Sequence, residues 1–89
     1  MKRIKIQKLS NEQFQNLNIK DWLSWSCEPC AFDWEYSETE TAYLFEGKVR
    51  VKTETEEVMI QAGDLVEFPS GLKCTWNVIE LVRKVYKMG

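Results

Sequence analysis

The side chains able to do chemistry in this sequence are cysteines, carboxylates, lysines and tyrosines, because none of its 89 residues is a histidine. Without imidazole there is no Ser-His-Asp or Cys-His catalytic unit and no His-ligated metal. Two of the three cysteines form C27-E-P-C30, and the third is Cys74. A C-x-x-C pair can be half a zinc site or a redox dithiol. Zinc needs further ligands, and only Cys74 or a carboxylate could supply them here. A thioredoxin-like pair needs a helix starting at the motif, and the residues after Pro29 read as strand. Cys27 and Cys30 are therefore read as two unrelated free thiols. Glu54, Glu56 and Glu57 read as a solvated hairpin tip. Arg83, Lys84 and Lys87 read as surface charge, with at most one of Arg83 and Lys84 facing inward.

Composition narrows the partners. Lys+Arg is 12 and Asp+Glu is 14, a net charge of -2. A general nucleic-acid binder carries a basic surplus, so no nucleic acid is expected. No apolar run approaches the ~18 residues of a membrane helix, and M1-K-R-I-K-I-Q has no signal-peptide core. The expectation is a cytoplasmic protein with reduced thiols. With 44% hydrophobic and 29% charged residues, residues 1–89 read as one globular domain.

The elements that must position these groups are mostly strands. Arg3 to Leu9 has one apolar parity, with Ile4 and Ile6 in phase. Ser10-Asn-Glu-Gln13 is a capping-box pattern for a helix of about two turns, with Phe14 and Leu17 on one face. From Asp21 onward, period-2 alternation dominates. Phe32, Trp34 and Tyr36 share one parity. Thr41–Glu46 reads as a strand stopped by Gly47, and Val49, Val51 and Thr53 alternate after it. Val58–Ile60, Leu65–Phe68, Cys74–Val78 and Arg83–Lys87 follow, with turns at Gly63-Asp64 and Pro69-Ser70-Gly71. About eight or more short strands at this spacing predict an antiparallel sandwich or barrel.

Two stretches carry a family resemblance. F32-D-W-E-Y-S-E-T-E-T-A-Y-L-F-E-G47 and G63-D-L-V-E-F-P-S-G-L-K-C74 resemble the two cupin motifs. Trp34 and Tyr36 stand at the two histidine positions of the first, with Glu40 and Gly47 in register. Gly63, Pro69 and Gly71 fit the second, with Cys74 at its histidine. W76-N-V-I-E-L-V-R-K-V-Y86 resembles the small cupins of the cupin-3 (DUF861) group, which includes ureidoglycine aminohydrolase and ethanolamine-utilisation cupins. The resemblance implies an all-β, RmlC-like jelly-roll barrel with a short N-terminal helix. Only Glu40 survives of the four metal-ligand positions, so no metal and no cofactor are expected.

In such a barrel the motif side chains point inward. Alternation then places Phe32, Trp34, Tyr36, Glu40, Ala42, Leu44, Cys74, Trp76 and Val78 on the inner face. An aromatic box with a carboxylate and a thiol suits a flat or apolar small molecule. The ligand-binding candidates are Phe32, Trp34, Tyr36, Glu40, Leu44, Cys74 and Trp76. Three readings stay open. The chain is a small-molecule-binding protein. Or it is a metal-independent enzyme acting on a small nitrogenous metabolite, with Glu40 as general acid/base and Cys74 or Tyr36 assisting. Or the aromatics fill the barrel, and the protein is structural or binds a partner. No inward cation is evident from the alternation, so Cys74 is expected to be a protonated, sluggish thiol and Cys27 and Cys30 the accessible ones. On the opposite face, Tyr43 and Phe45, with Trp22 and Trp25, suggest a homodimer interface.

Overall fold

Alternating sequence becomes antiparallel ladder through most of the chain. The structure is a computed structural model describing residues 3–89. In chain order the elements are β1 (Lys5–Lys8), α1 (Asn11–Asn16), β2 (Leu23–Cys27), β3 (Cys30–Glu35), β4 (Glu40–Lys52), β5 (Glu57–Gln61), β6 (Asp64–Phe68) and β7 (Lys73–Met88). All seven strands join one hydrogen-bonded system with the path β1-β6-β4-β7-β2, to which β3 adds on β7 and β5 on β4.

The strands are fewer and longer than the sequence suggests. β4 runs for 13 residues and β7 for 16. They pair with each other from Glu40↔Met88 to Lys52↔Thr75. The first part of β4 takes β6 on its other side and the last part takes β5. Along the far edge of β7, β2 pairs with Val82–Tyr86 and β3 with Lys73–Val78. Two leaves thus form, β1-β6-β4-β7-β2 and β5-β4-β7-β3, and both contain β4 and β7.

Gly47 does not stop β4; it bends it. Register shifts fall between Leu44 and Val49, and Gly47 has φ +98°. A Cβ on Gly47 would strike the Leu81 carbonyl and lie 2.7 Å from the Val82 Cα. Only glycine meets both conditions: it tolerates this φ and it has no Cβ to collide. The bend turns both long strands from one leaf into the other.

The core between the leaves holds Leu44, Val49, Val51, Ile60, Val66, Phe68 and Val82, all fully buried, with Trp76 and Tyr36 beside them. The helix forms as its caps dictate. Ser10 Oγ accepts from the Gln13 N–H at 3.2 Å, and the Ser10 N–H donates to Gln13 Oε1 at 2.9 Å. α1 has only six residues, so packing must hold it. Phe14 supplies that packing, with ring centroids 4.6 Å from Tyr43 and 5.7 Å from Phe45.

That contact changes the account of the apolar outer face. Tyr43 and Phe45 meet Phe14 within the chain. Trp22 has the Lys87 ammonium 5.4 Å from its ring centroid, and Trp25 packs against the core. Tyr43, Trp22 and Trp25 are thus half-buried within the chain, whereas Phe45 stays 44% exposed. The acidic tip is engaged as well: Glu56 accepts from the Ile4 N–H at 3.2 Å, and Glu57 pairs with Arg50 at 3.3 Å.

Candidate functional site

A cavity of about 270 Å³ opens between the aromatic ends of the two leaves. Phe32, Trp34, Tyr36, Glu40 and Trp76 line it, as alternation predicts, and Trp25, Lys84, Tyr86 and Met88 complete it. Tyr36 and Trp76 are themselves buried, and the cavity opens beside them toward exposed Trp34. Cross-strand register explains the grouping. Phe32 lies opposite Trp76 and Trp25 opposite Lys84 on the two halves of β7. The Phe32 and Trp76 rings stack at 6.0 Å, and Trp25 stands edge-on to both. Trp76 Nε1–H donates to the Tyr36 hydroxyl at 3.1 Å.

The polar end of the cavity is an ion pair. Lys84 Nζ donates to Glu40 Oε2 at 2.6 Å, and both side chains are only 7% exposed. The ammonium also lies 5.0, 4.8 and 5.1 Å from the ring centroids of Trp25, Trp76 and Tyr86. Each is within cation–π range. Lys84 is thus not surface charge, as its sequence neighbourhood suggests, but a buried cation. Arg83, the next residue, is the outward one and pairs with Glu46 at 3.8 Å. Burial pulls the Lys84 pKa below the usual lysine range, and the Glu40 charge works against that pull. Burial also pushes Tyr36 far above the usual phenol range, helped by the charges of Glu40 and Cys74. Tyr36 is therefore a neutral phenol at physiological pH.

Two expected site residues lie elsewhere. Leu44 is fully buried in the core and not on the cavity wall. Cys74 points inward, but it sits two pairs further along the β3–β7 ladder, opposite Trp34. It borders a shallow groove with Asp33, Lys52 and Thr75 instead of sharing the Glu40 cavity. Its thiol is pushed up to about 11, first by burial and then by nearby carboxylates. Glu40 still acts on this thiol, raising its pKa, while Lys84 lowers it.

The family model for EutQ-like cupin domains matches residues 14–86. The chain belongs to that family. The crystal structure of a DUF861 family protein from Thermotoga maritima superposes with a TM-score of 0.92 at 44% identity, covering 98% of this chain and all of that one. The Clostridium difficile EutQ protein has the same fold at 19% identity (TM-score 0.68), covering 98% of this chain and 68% of that chain. A DUF861 protein from Pseudomonas syringae pv. tomato is similar at 26% identity (TM-score 0.67), covering 74% of this chain and 29% of that chain. No curated protein matches the chain.

Within this EutQ-like cupin, the metal-ligand positions of the cupin motifs do not fit a metal. Trp34 and Tyr36 offer no imidazole, Cys74 lies outside the cavity, and Glu40 is held by Lys84. Among the described residues, no group of three or more His, Cys, Asp or Glu is placed to bind a metal.

Four lining residues escaped the sequence reading, and for Lys84, Tyr86 and Met88 the continuity of β7 explains why. Cys74, Trp76, Val78, Val82, Lys84 and Tyr86 share even parity. Read as one strand, they put Lys84 on the same face as Trp76, and with the irregular register beside Gly47 the Lys84 ammonium comes to 4.8 Å from the Trp76 ring centroid. The C-x-x-C pair also differs from expectation. β2 and β3 run end to end along one edge of β7, and Glu28-Pro29 joins them. This turn brings Cys27 Sγ and Cys30 Sγ to 3.3 Å, so the thiols are neighbours and not unrelated. Burial and the Cys30 thiol raise the Cys27 pKa.

Two outcomes follow from this geometry. Glu40→Gln or Lys84→Met leaves one buried charge without its partner and should cost about 3–5 kcal/mol in denaturant unfolding. The double variant should return to within about 1 kcal/mol of the parent, because no unpaired charge remains. Additive losses would show that the charges do not act together. In timed alkylation at neutral pH, peptide mapping should find Cys30 and Cys27 modified well before Cys74. The Cys74 thiol stays protonated until pH approaches 11, and alkylation needs the thiolate. Cys74 reacting first would contradict the site as described.

Proposed function

We propose that this EutQ-like cupin binds a small, flat, largely apolar organic molecule in the aromatic cavity, without a metal. The cavity of about 270 Å³ walled by Trp25, Phe32, Trp34 and Trp76 carries the proposal. Its size is close to the lower end of small-molecule pockets, roughly 300 Å³, which suits a single ring better than a fused system. Its polar groups converge at one end, where the Glu40–Lys84 pair and Tyr36 can orient a ligand. Cytoplasmic residence is proposed from three free thiols, two of them vicinal. Among the described residues, no helix is long and apolar enough to cross a membrane.

A second reading, metal-independent catalysis at Glu40, is favoured by the neutral Tyr36 phenol on the same wall. It assigns proton transfer to Glu40, paired with Lys84, with Tyr36 or Cys74 assisting. Turnover of a nitrogenous metabolite that Glu40→Gln abolishes would support it over simple binding.

A thermal-shift screen of single-ring aromatic compounds tests the binding reading. A ligand at a hundredfold its Kd adds about 2.7 kcal/mol, a Tm rise of about 10 °C or more for a chain of this size. Trp34 is 53% exposed, so Trp34→Ala should barely move the unliganded Tm while it weakens the ligand-induced rise. A compound set that moves no Tm, or a rise unchanged in Trp34→Ala, would count against this cavity.

Homodimer formation is proposed through Phe45, which is 44% exposed, with the half-buried Tyr43, Trp22 and Trp25 beside it, and exposed Leu23, Ile79 and Leu81 offer further apolar surface. Light scattering at micromolar concentration should give twice 10.5 kDa. A mass of one chain at every concentration would end that proposal.

A further inference from the structure

Lys84 brings an amine nitrogen, the atom that condenses with carbonyl compounds, into a desolvated part of the cavity wall. Its Nζ is 2.6 Å from Glu40 Oε2, a proton acceptor within direct transfer distance. Its side chain is 7% exposed, and it faces the cavity, not solvent. Three aromatic rings surround the nitrogen. An ordinary surface lysine has none of these. Lysines in apolar pockets are activated toward carbonyl compounds because burial favours the neutral amine. The lowered pKa of Lys84 agrees with that direction.

We propose that Lys84 captures a small aromatic aldehyde in this cavity as a covalent iminium, with Glu40 as the proton shuttle. The proposal rests on the reading of the cavity as a ligand site and names the class of ligand. The step balances without any outside reagent. Glu40 takes one proton from the Lys84 ammonium. The freed lone pair forms a C–N bond to the aldehyde carbon, the carbonyl π bond breaks, and a proton passes from nitrogen to oxygen to give a carbinolamine. Glu40 returns its proton to the carbinolamine hydroxyl. The C–O bond breaks, water leaves, and the nitrogen lone pair forms the C=N bond.

The start is an ammonium beside a carboxylate, and the end is an iminium beside the same carboxylate. Net charge is unchanged at the same spot. The ion pair and aromatic cage that hold the ammonium hold the product cation for the same electrostatic reasons. The aldehyde substituent then lies in the cavity among Phe32, Trp34 and Trp76. Trp34 and Met88, 53% and 39% exposed, line the route from solvent.

The test uses the full chain, benzaldehyde and cyanoborohydride at neutral pH, read by intact mass and peptide mapping. The expected result is one benzyl group per chain on Lys84, with about tenfold preference over any other lysine. The same chain in guanidinium should lose the preference, since the cavity is gone. Lys84→Arg should lose the adduct, and Glu40→Gln, which keeps the amine but removes the shuttle, should slow its formation about tenfold or more. The guanidinium arm keeps the proposal testable if either variant fails to fold. Labelling spread over exposed lysines, or equal preference in guanidinium, would overturn the proposal. Benzyl alcohol, with the ring but no carbonyl, separates the two readings. If it raises Tm while benzaldehyde leaves Lys84 unlabelled, the covalent step is wrong and binding stands. If Lys84 is labelled while benzyl alcohol does nothing, capture stands and the noncovalent reading falls.

Discussion

A carboxylate and an ammonium 2.6 Å apart in the interior set the terms for everything around them. Taking both from water costs several kcal/mol per ion, and only close geometry with further partners offsets it. The offset here is assembled from three elements. Glu40 opens β4, Lys84 lies on β7, and the rings come from Trp25 on β2 and from Trp76 and Tyr86 on β7. Lys84 lies opposite Leu44 and Glu40 opposite Met88, so the two side chains reach toward each other along the inner face. The pair therefore holds only if the β4–β7 register is right. A shift by one residue would turn Lys84 to the outside and strand Glu40.

The same pair separates this protein's chemistry from that implied by the cupin motifs. Those motifs bring imidazoles and a carboxylate together around a cation. This chain keeps the carboxylate and the turns, has Trp34, Tyr36 and Cys74 at the three imidazole positions, and supplies the positive charge from the Lys84 side chain. The result is a site whose polar end is neutral as a unit, next to walls that are almost entirely aromatic.

What the sequence made legible followed from local rules. The Ser10–Gln13 capping box, the turns at Gly63 and Gly71 and the inward parity of Phe32, Trp34, Tyr36, Glu40 and Trp76 each depend on a few neighbouring residues. What it hid depends on distant ones. Gly47 looks like a strand end until Leu81 and Val82 are placed against it. Lys84 looks solvated because Arg83 and Lys87 surround it, and its inward direction appears only when β7 is continuous from Trp76. Cys27 and Cys30 look independent because nothing local says that β2 and β3 share one edge. Tyr43 and Phe45 look unpartnered until α1 brings Phe14 over them.

The two long bent strands have a kinetic consequence. Each leaf needs both β4 and β7, so neither leaf has a strand pair that can form without committing the other. Residues 40–52 must find residues 73–88 before much native surface is buried, and such non-local pairing makes folding slow relative to helical proteins of this size. The amides of the β4–β7 ladder have no partial opening available that spares one leaf. They belong to the slowest-exchanging class, released only when the whole chain unfolds. By contrast, β1 and the single turn of α1 hang on one neighbour each and can fray without disturbing the cavity. Of the cavity wall, the residues on β4 and β7 thus stand on the part of the molecule that opens last, while Trp25, Phe32 and Trp34 stand on β2 and β3, which hang on β7.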